Sequence, residues 1–196
     1  MITAGANGSA VKTACRACYI IALGRAGPAG KGESTMKLTT LCYLQRGEEY
    51  LMLHRVRKRQ DDNRDKWIGV GGKFLEGESP EDCLLREVAE ETGLTLEEWR
   101  FRGIVTFVSD QLPTEYMHLF TASRWSGRMR QDCPEGDLAW IHQRRLRELT
   151  LWEGDKLFLR LLEQDAPFFS LKLCYQGDRL VGAWLDGRPV ALDQSL

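Results

Sequence analysis

From Gly71 to Thr95 the chain reads GGKFLEGESPEDCLLREVAEETGLT, an acidic segment that begins with a glycine pair. Ser79 is a typical N-cap residue, the proline after it suits the first helical position, and Gly93 offers the left-handed conformation that ends many helices. The sequence therefore predicts a helix between these two residues, directly after a glycine-rich turn.

Seven carboxylates lie within these 25 residues, and Glu87, Glu90 and Glu91 share one face of the predicted helix. Like charges at this spacing repel each other by about 0.2 to 0.5 kcal/mol per pair. We expect Leu84 and Val88 to face a core while the three glutamates point away from it. Mg²⁺ prefers oxygen ligands and often binds substrate phosphates, and a glycine backbone can approach the ion closely. The segment therefore predicts a metal and phosphate site, with a solvated acidic helix face as the alternative.

The same segment resembles the Nudix box, Gly-x5-Glu-x7-Arg-Glu-hydrophobic-x-Glu-Glu-x-Gly-hydrophobic. The matching residues are Gly72, Glu78, Arg86, Glu87, Val88, Glu90, Glu91, Gly93 and Leu94. Nine specified positions across 23 residues make this a very specific pattern. The resemblance covers residues 36 to about 185 and implies a Nudix fold, an α+β fold in which a mixed β-sheet is sandwiched between helices.

The resemblance also implies an enzyme that hydrolyses a nucleoside diphosphate linked to another group, with Mg²⁺ as cofactor and Mn²⁺ as a substitute. Arg86 would orient a glutamate through an ion pair, and Glu78 would maintain the geometry of the loop and helix. The general base stays open between Glu87 and a glutamate outside the box. The implied metal ligands are Glu87, Glu90, Glu91 and the backbone carbonyl of Gly71.

The residues beside the box resemble the MutT type, whose members remove oxidised purine nucleoside triphosphates. The segment KWIGVGGK, residues 66–73, is similar to the entry to the box in these enzymes, and Lys73 at its end is a candidate substrate-binding residue. The segment EGDLAW, residues 135–140, resembles one that supplies an extra glutamate near the metal. Glu135 is therefore a candidate metal ligand or base, and a surface glutamate in a turn is the alternative.

Trp152 and Asp155, in LWEGD, stand at the spacing of the tryptophan and aspartate that form the base pocket of the vertebrate enzyme of this type. An indole face stacks on a base with about 1 to 3 kcal/mol, and a carboxylate can accept two hydrogen bonds from the donor edge of guanine. The alternative is that Trp152 is a core aromatic residue and Asp155 an N-cap.

Ile68 departs from the vertebrate pattern, which has an asparagine at this position to read the base. Isoleucine cannot form a hydrogen bond, so base selection must come from another residue or be weaker. The basic segment HRVRK, residues 54–58, is a candidate for triphosphate binding, with Arg55 best placed at the end of a strand. A solvated loop of mixed charge is equally compatible with residues 58–66.

Hydrophobic patterns predict the remaining elements. They place strands at 38–46, 50–57, 67–71, 102–109, 116–123, 138–142, 168–175 and 179–185, a helical turn at 146–149 and a second helix at 155–164. The strand pairs 38–46 with 50–57 and 168–175 with 179–185 are predicted hairpins. Together these elements predict a mostly β body with two helices packed on it.

The whole chain has 196 residues, a net charge of -1 and a mean hydropathy of -0.36. We expect a disordered N-terminal extension at 1–35, one hydrolase domain at 36–186 and a C-terminal tail at 187–196. The charge balance argues against binding nucleic acid through a broad basic surface. No apolar run reaches the roughly 18 to 20 residues that cross a bilayer. The six cysteines fit a reducing compartment better than a disulfide framework, which predicts a cytoplasmic protein.

The resemblance thus implies a Mg²⁺-dependent enzyme that converts 8-oxo-dGTP to 8-oxo-dGMP and pyrophosphate. Its partner would be the nucleoside triphosphate substrate, with no direct contact with nucleic acid or membrane, and both monomer and homodimer stay open. One alternative is a Nudix hydrolase of ADP-ribose or other nucleoside diphosphate derivatives with broad specificity. Others are a catalytically silent domain that senses a nucleotide and a DNA-binding or scaffolding protein.

Overall fold

The structure, a computed structural model, describes residues 36–57 and 61–192. The predicted N-terminal extension lies outside the described residues. The strands are β1 (Lys37–Arg46), β2 (Glu49–His54), β3 (Trp67–Ile68), β4 (Leu94–Ser109), β5 (Glu115–Gly127), β6 (Asp137–His142), β7 (Phe169–Gln176), β8 (Arg179–Leu185) and β9 (Arg188–Val190). The helices are α1 (Pro80–Thr92) and α2 (Asp155–Glu163), with a 3-10 helix at Gln143–Glu148.

The strands form one mixed sheet in the order β3-β2-β1-β5-β4-β7-β8-β9, with β6 paired to β2 beside this path. The pairs β1–β5 and β4–β7 are parallel, whereas the others are antiparallel. Of the two larger core clusters, one contains Phe158 of α2 and the other contains Leu84 of α1. Because β1 alternates between the clusters, with Tyr43 in the first and Cys42 in the second, the helices cover opposite faces. The predicted fold is confirmed.

Helix α1 has the ends that its sequence predicts. The Ser79 hydroxyl accepts a hydrogen bond from the Asp82 amide at 3.1 Å, and the Asp82 carboxylate accepts one from the Ser79 amide at 3.0 Å. Gly93 follows with φ 75° in the left-handed region. These local hydrogen bonds fix where the helix begins and ends, and hence which way its glutamates point.

The glycine pair reaches α1 because the first hairpin opens soon after its turn. β1 and β2 pair only at Gln45 with Tyr50 and at Arg46 with Glu49. β2 then pairs with β3 and β6, and the segment 70–72 lies beside β1 in its place. The Thr40 amide donates to the Gly72 carbonyl at 2.9 Å, which sets the glycines next to the sheet.

Several boundaries differ from the prediction: β2 ends at His54 instead of residue 57, β3 spans only Trp67–Ile68 instead of 67–71, and β5 continues to Gly127 instead of residue 123. The two largest differences are in β4 and at the C-terminal end. β4 begins at Leu94, directly after α1, whereas the sequence predicts a strand only from Arg102. Register shifts near Glu98 and between Phe101 and Gly103 interrupt the alternation of buried and exposed side chains in the first half of β4. A search for a period of two in the sequence therefore does not detect that half. β9 lies in the predicted C-terminal tail and pairs with β8.

The described cysteines are all buried. Cys42, Cys83 and Cys133 are free thiols, in agreement with the predicted usage. Cys174 on β7 differs from the prediction, because its sulfur is disulfide-bonded. None of the described helices has the length and apolar character needed to cross a membrane.

Candidate active site

A cleft of about 530 Å³ runs from the glycine pair and α1 to the start of α2. Every predicted site residue except Glu90 lines it. The predicted residues at the cleft are Arg55, Gly71, Lys73, Arg86, Glu87, Glu91, Glu135, Trp152 and Asp155. One cavity therefore joins the box glutamates to the predicted base pocket.

Glu91 is the buried member of the acidic cluster, with 4% of its surface exposed. Its Oε2 accepts a hydrogen bond from the Gly71 amide at 3.0 Å. The prediction that all three glutamates point away from the core is wrong for Glu91, because it continues the buried stripe of Leu84 and Val88 along α1. Burial, together with the nearby charges of Glu87 and Glu135, raises the pKa of Glu91 to about 8, against the opposing effect of the hydrogen bond from the Gly71 amide.

Arg86 organises the other box carboxylates. Its Nε lies 2.6 Å from Glu78 Oε1 and its Nη2 lies 2.9 Å from Glu78 Oε2, so the pair is bidentate. Nη1 lies 2.7 Å from Glu87 Oε1 and 3.4 Å from Glu90 Oε2. The hydrogen bonds that Glu78 accepts from Arg86 and from the Leu75 amide lower its pKa to about 2. Nη2 also donates to the Lys73 carbonyl at 3.0 Å, which ties the loop to the helix.

The Glu87 carboxylate lies directly against Gly72. A Cβ atom at this glycine would collide with both carboxylate oxygens, and a Cβ at Gly71 would collide with the carbonyl of Thr40. Only glycine fits at position 71, where φ is 155°, whereas a Cβ at position 72 requires the Glu87 side chain to move. Glu90 lies outside this contact, with 61% of its side chain exposed at the rim, and reaches the cluster only through Arg86.

Glu135 enters the site from the loop before β6, held by Arg55. Arg55 Nη1 lies 2.6 Å from Glu135 Oε2, and its Nε lies 2.7 Å from Asp61 Oδ2. All three side chains are largely buried. The structure thus brings Glu135 towards the box glutamates, as the sequence predicts. Arg55 lines the cleft with its guanidinium already paired to two carboxylates, which differs from the predicted free phosphate contact.

The carboxylate oxygens at the acidic end of the cleft are ligands of the kind that a hard divalent cation prefers. The carboxylates of Glu87, Glu91 and Glu135 share one cleft, and their mutual repulsion raises the pKa of Glu91. In this conformation Arg86 and Arg55 supply the counter-charges. Across residues 36–57 and 61–192, no three His, Cys, Asp or Glu side chains stand in a ready-made coordination geometry, so metal binding requires these side chains to adjust.

Trp152 and Asp155 form the other end of the cleft. Phe107 and Tyr175 contact the indole edge to face, with centroids at 5.8 and 5.4 Å. The Lys66 ammonium lies 4.2 Å from the indole centroid and covers one face. A base that stacks on this indole face must displace Lys66 from it. The indole Nε1–H donates to Asn63 Oδ1 at 2.8 Å.

Asp155 is buried at the first turn of α2, yet its side chain does not cap the helix. The N-cap is Gly154, without a side-chain cap hydrogen bond. Burial raises the pKa of Asp155 to about 8, and the positive charge of Lys66 opposes this shift. The carboxyl therefore lines the cleft at a site where it is protonated near neutral pH.

Ile68 is buried in the cleft wall and provides only apolar surface there. Asn63, which sequence reasoning missed, lines the same end of the cleft. It lies in the segment that the sequence presents as a charged loop, and its partner Trp152 is 89 residues away. No local pattern signals such a contact.

Comparison with known proteins agrees with this geometry. The NUDIX domain family matches residues 36–162. The Nudix hydrolase YvcI of Bacillus subtilis is 31% identical over 124 residues, covering 61% of this chain and 75% of that protein. The oxidized purine nucleoside triphosphate hydrolase of Mus musculus is 30% identical over 137 residues, covering 69% of this chain and 85% of that protein.

A MutT protein from Bacillus halodurans has a similar crystal structure. Its TM-score is 0.69 at 27% sequence identity, and the match covers 78% of this chain and 99% of that one. The domain match, the box and the fold agree over the same residues. The protein therefore belongs to the Nudix family, whose members act on nucleotide substrates, and within that family it is a hydrolase of the MutT type.

Proposed function

We propose that the protein hydrolyses oxidised purine nucleoside triphosphates, converting 8-oxo-dGTP to 8-oxo-dGMP and pyrophosphate in the presence of Mg²⁺. The observation that carries this proposal is the single cleft, which has a carboxylate cluster at one end and Trp152 with Asp155 at the other. A nucleotide has the matching polarity, with a polyphosphate at one end and a purine at the other. The name of the mouse relative supports this choice of substrate.

At the carboxylate end, Glu87, Glu90, Glu91, Glu135 and the Gly71 carbonyl would hold the metal. When bound, Mg²⁺ supplies charge stabilisation to the phosphates and acidifies water. Arg86 keeps Glu87 pointed into the cleft through a 2.7 Å contact. Lys73, exposed at the rim, is available to the outer phosphates. Hydrolysis adds water across the α–β phosphate linkage and releases pyrophosphate.

The general base for this step is one of the cleft carboxylates. Glu87 and Glu135 both line the cleft and can accept the proton of the attacking water. Arg86 and Arg55 fix where these two carboxylates point. Either arrangement keeps the proton acceptor within the acidic end and away from the purine.

At the base end, Trp152 offers an aromatic face for stacking, worth about 1 to 3 kcal/mol per base. Asp155 reaches the purine edge with a carboxyl whose pKa is raised to about 8 by burial. It can donate a hydrogen bond when protonated and accept two when ionised. Ile68 contributes packing and no hydrogen bond at the wall between the two ends.

The proposed role is cleansing of the nucleotide pool, which removes a mispairing base before it enters DNA and needs no contact with nucleic acid. We place this activity in the cytoplasm. Three of the four described cysteines, Cys42, Cys83 and Cys133, are buried free thiols, which supports a reducing compartment, whereas the disulfide at Cys174 counts against it.

The test is steady-state kcat/KM with Mg²⁺ for 8-oxo-dGTP, dGTP, 8-oxo-GTP, 2-hydroxy-dATP and ADP-ribose, with the products identified. We expect 8-oxo-dGTP to exceed dGTP by at least about tenfold, which is about 1.4 kcal/mol of transition-state binding. The product should be pyrophosphate. A higher rate on ADP-ribose, or equal rates on 8-oxo-dGTP and dGTP, would reject the proposed substrate.

A further inference from the structure

The loop Asp61–Lys66 closes one side of the base end of the cleft and is tied down at several points. Asp61 pairs with Arg55 at 2.7 Å, and Asp62 pairs with Lys37 on β1 at 3.1 Å. Within the loop, the Lys66 amide donates to the Asn63 carbonyl at 3.0 Å and the Asn63 amide donates to Asp61 Oδ1 at 3.0 Å. The backbone at Asn63 is therefore held in place on the cleft wall.

The side chain of Asn63 is also fixed, and in only one orientation. An indole N–H can donate but cannot accept, so the side-chain atom that Trp152 Nε1 meets at 2.8 Å must be the amide oxygen. The assignment of Oδ1 and Nδ2 in an asparagine side chain depends on its hydrogen-bond network, and this contact determines it for Asn63. With Oδ1 on the indole, the Nδ2 group is the end that can donate to another partner.

Ile68 lines the same cleft and has no hydrogen-bonding group. A purine seated beside Trp152 presents carbonyl oxygens that need donors, because an unsatisfied polar group in a closed site is costly. Asn63 lines the cleft next to this tryptophan and supplies two N–H groups. The hydrogen-bonding group that Ile68 lacks is thus available from Asn63, in the loop just before β3.

We propose that Asn63 is a specificity-determining residue whose side-chain amide, oriented by Trp152, donates a hydrogen bond to a carbonyl oxygen of the purine base. This inference rests on the proposed function, since it requires the base to lie at Trp152. The purine carbonyl can be at C6 or at C8. Because both oxygens are acceptors, the chemistry of recognition is the same in either case.

The test is kcat/KM on four substrates that separate the two carbonyls. dATP has neither, dGTP has the C6 carbonyl, 8-oxo-dATP has the C8 carbonyl and 8-oxo-dGTP has both. The variant is Asn63→Asp, which keeps an oxygen for the Trp152 N–H and replaces the NH₂ donor by a second acceptor. Its added negative charge acts on the triphosphate that all four substrates share, so that effect cancels in the ratios to dATP.

We expect Asn63→Asp to lower kcat/KM relative to dATP by at least about tenfold for substrates that carry the carbonyl in question. Loss for dGTP and 8-oxo-dGTP alone assigns the C6 carbonyl, and loss for 8-oxo-dATP and 8-oxo-dGTP alone assigns the C8 carbonyl. Loss for all three assigns a shared contact. Equal loss on all four substrates, or no change in any ratio, overturns the proposal.

Trp152→Phe provides an independent arm, because it keeps an aromatic ring and removes the N–H that orients the amide. It should lower the same ratios as Asn63→Asp, in the same direction. The double variant Asn63→Asp/Trp152→Phe should show nearly the same ratios as Asn63→Asp alone, because the NH₂ donor at position 63 is already absent. Failure of the proposed function is seen in the wild-type protein instead, as a higher rate on ADP-ribose or as equal rates on 8-oxo-dGTP and dGTP.

Discussion

The guanidinium of Arg55 lies between two carboxylates, 2.6 Å from Glu135 Oε2 and 2.7 Å from Asp61 Oδ2. This cation also acts electrostatically on Glu91 and lowers its pKa, against the dominant effect of burial. Arg55 is thus a counter-charge for the acidic end of the cleft when no other cation is present.

Arg55→Met should therefore destabilise the metal-free protein by about 1 to 3 kcal/mol, because it leaves largely buried carboxylates without their partner. For a chain of this size that corresponds to a fall of about 2 to 12 °C in Tm. Mg²⁺ should restore more of the Tm in the variant than in the wild-type protein, because the ion replaces the lost charge. Equal Mg²⁺-induced shifts in thermal unfolding scans would contradict this role.

Glu90→Gln should abolish turnover while leaving the fold intact. The Glu90 side chain is exposed at the rim and contacts Arg86 at 3.4 Å, and its backbone contact with Arg130 is kept in the variant, so the free energy of unfolding should change by no more than about 0.5 kcal/mol. Glu81→Gln, on the first turn of the same helix, is the matched control and should retain activity. Unchanged kcat in Glu90→Gln would remove Glu90 from the proposed metal ligands.

Asp155→Asn should change how stability depends on pH. The folded-state pKa of Asp155 is about 8, whereas an unfolded aspartate titrates near about 3.9. Between these values the unfolded state has released a proton that the folded state keeps, so Asp155 makes the free energy of unfolding fall as pH rises from about 4 to about 8. The variant should lack this slope.

Urea unfolding of both proteins across this pH range, in metal-free buffer, measures the difference. Groups that the two proteins share cancel in the comparison. Asp178→Asn, an exposed position on the turn between β7 and β8, should retain the wild-type slope. Parallel curves for wild type and Asp155→Asn would show that the carboxyl is ionised in the folded protein at neutral pH.

Gly72→Ala should reduce kcat more than it reduces stability. The added methyl group collides with the Glu87 carboxylate, and the side chain must leave its position beside Arg86. We expect a loss of at least about 100-fold in kcat, comparable to removal of a well-placed catalytic group. Gly47→Ala, in the turn of the first hairpin, meets no atom within 4 Å but is strained at φ 60°, so it should lose stability while it retains kcat. Normal turnover in Gly72→Ala would show that Glu87 tolerates displacement.

Helix α1 shows what local sequence can predict. Its cap residues, its glycine stop and the spacing of its glutamates all act within a few residues of one another, so the pattern predicts both the helix and the catalytic chemistry. The burial of Glu91 is different, because it depends on where the glycine pair passes beside the helix. That position follows from the opening of the hairpin between β1 and β2, a tertiary feature with no local signal.

At the base end of the cleft, too, local sequence predicts some residues and tertiary structure determines the others. Trp152 and Asp155 were predicted from a short motif, and the structure brings both to the cleft. The contact of Trp152 with Asn63 joins residues 89 positions apart, and the cation over the indole comes from Lys66. Such contacts exist only after β2, β3 and the start of α2 have been placed together, so a linear pattern cannot show them.

The loop Asp61–Lys66 has a consequence for how this enzyme type can diversify. Asp61 binds Arg55 through one carboxylate oxygen and the Asn63 amide through the other, while Asn63 holds Trp152 and Arg55 holds Glu135. One short segment thus sets the position of groups at both ends of the cleft. A substitution that retunes the base pocket through this loop also shifts the acidic end, so changes of substrate and changes of rate are coupled and should not combine additively.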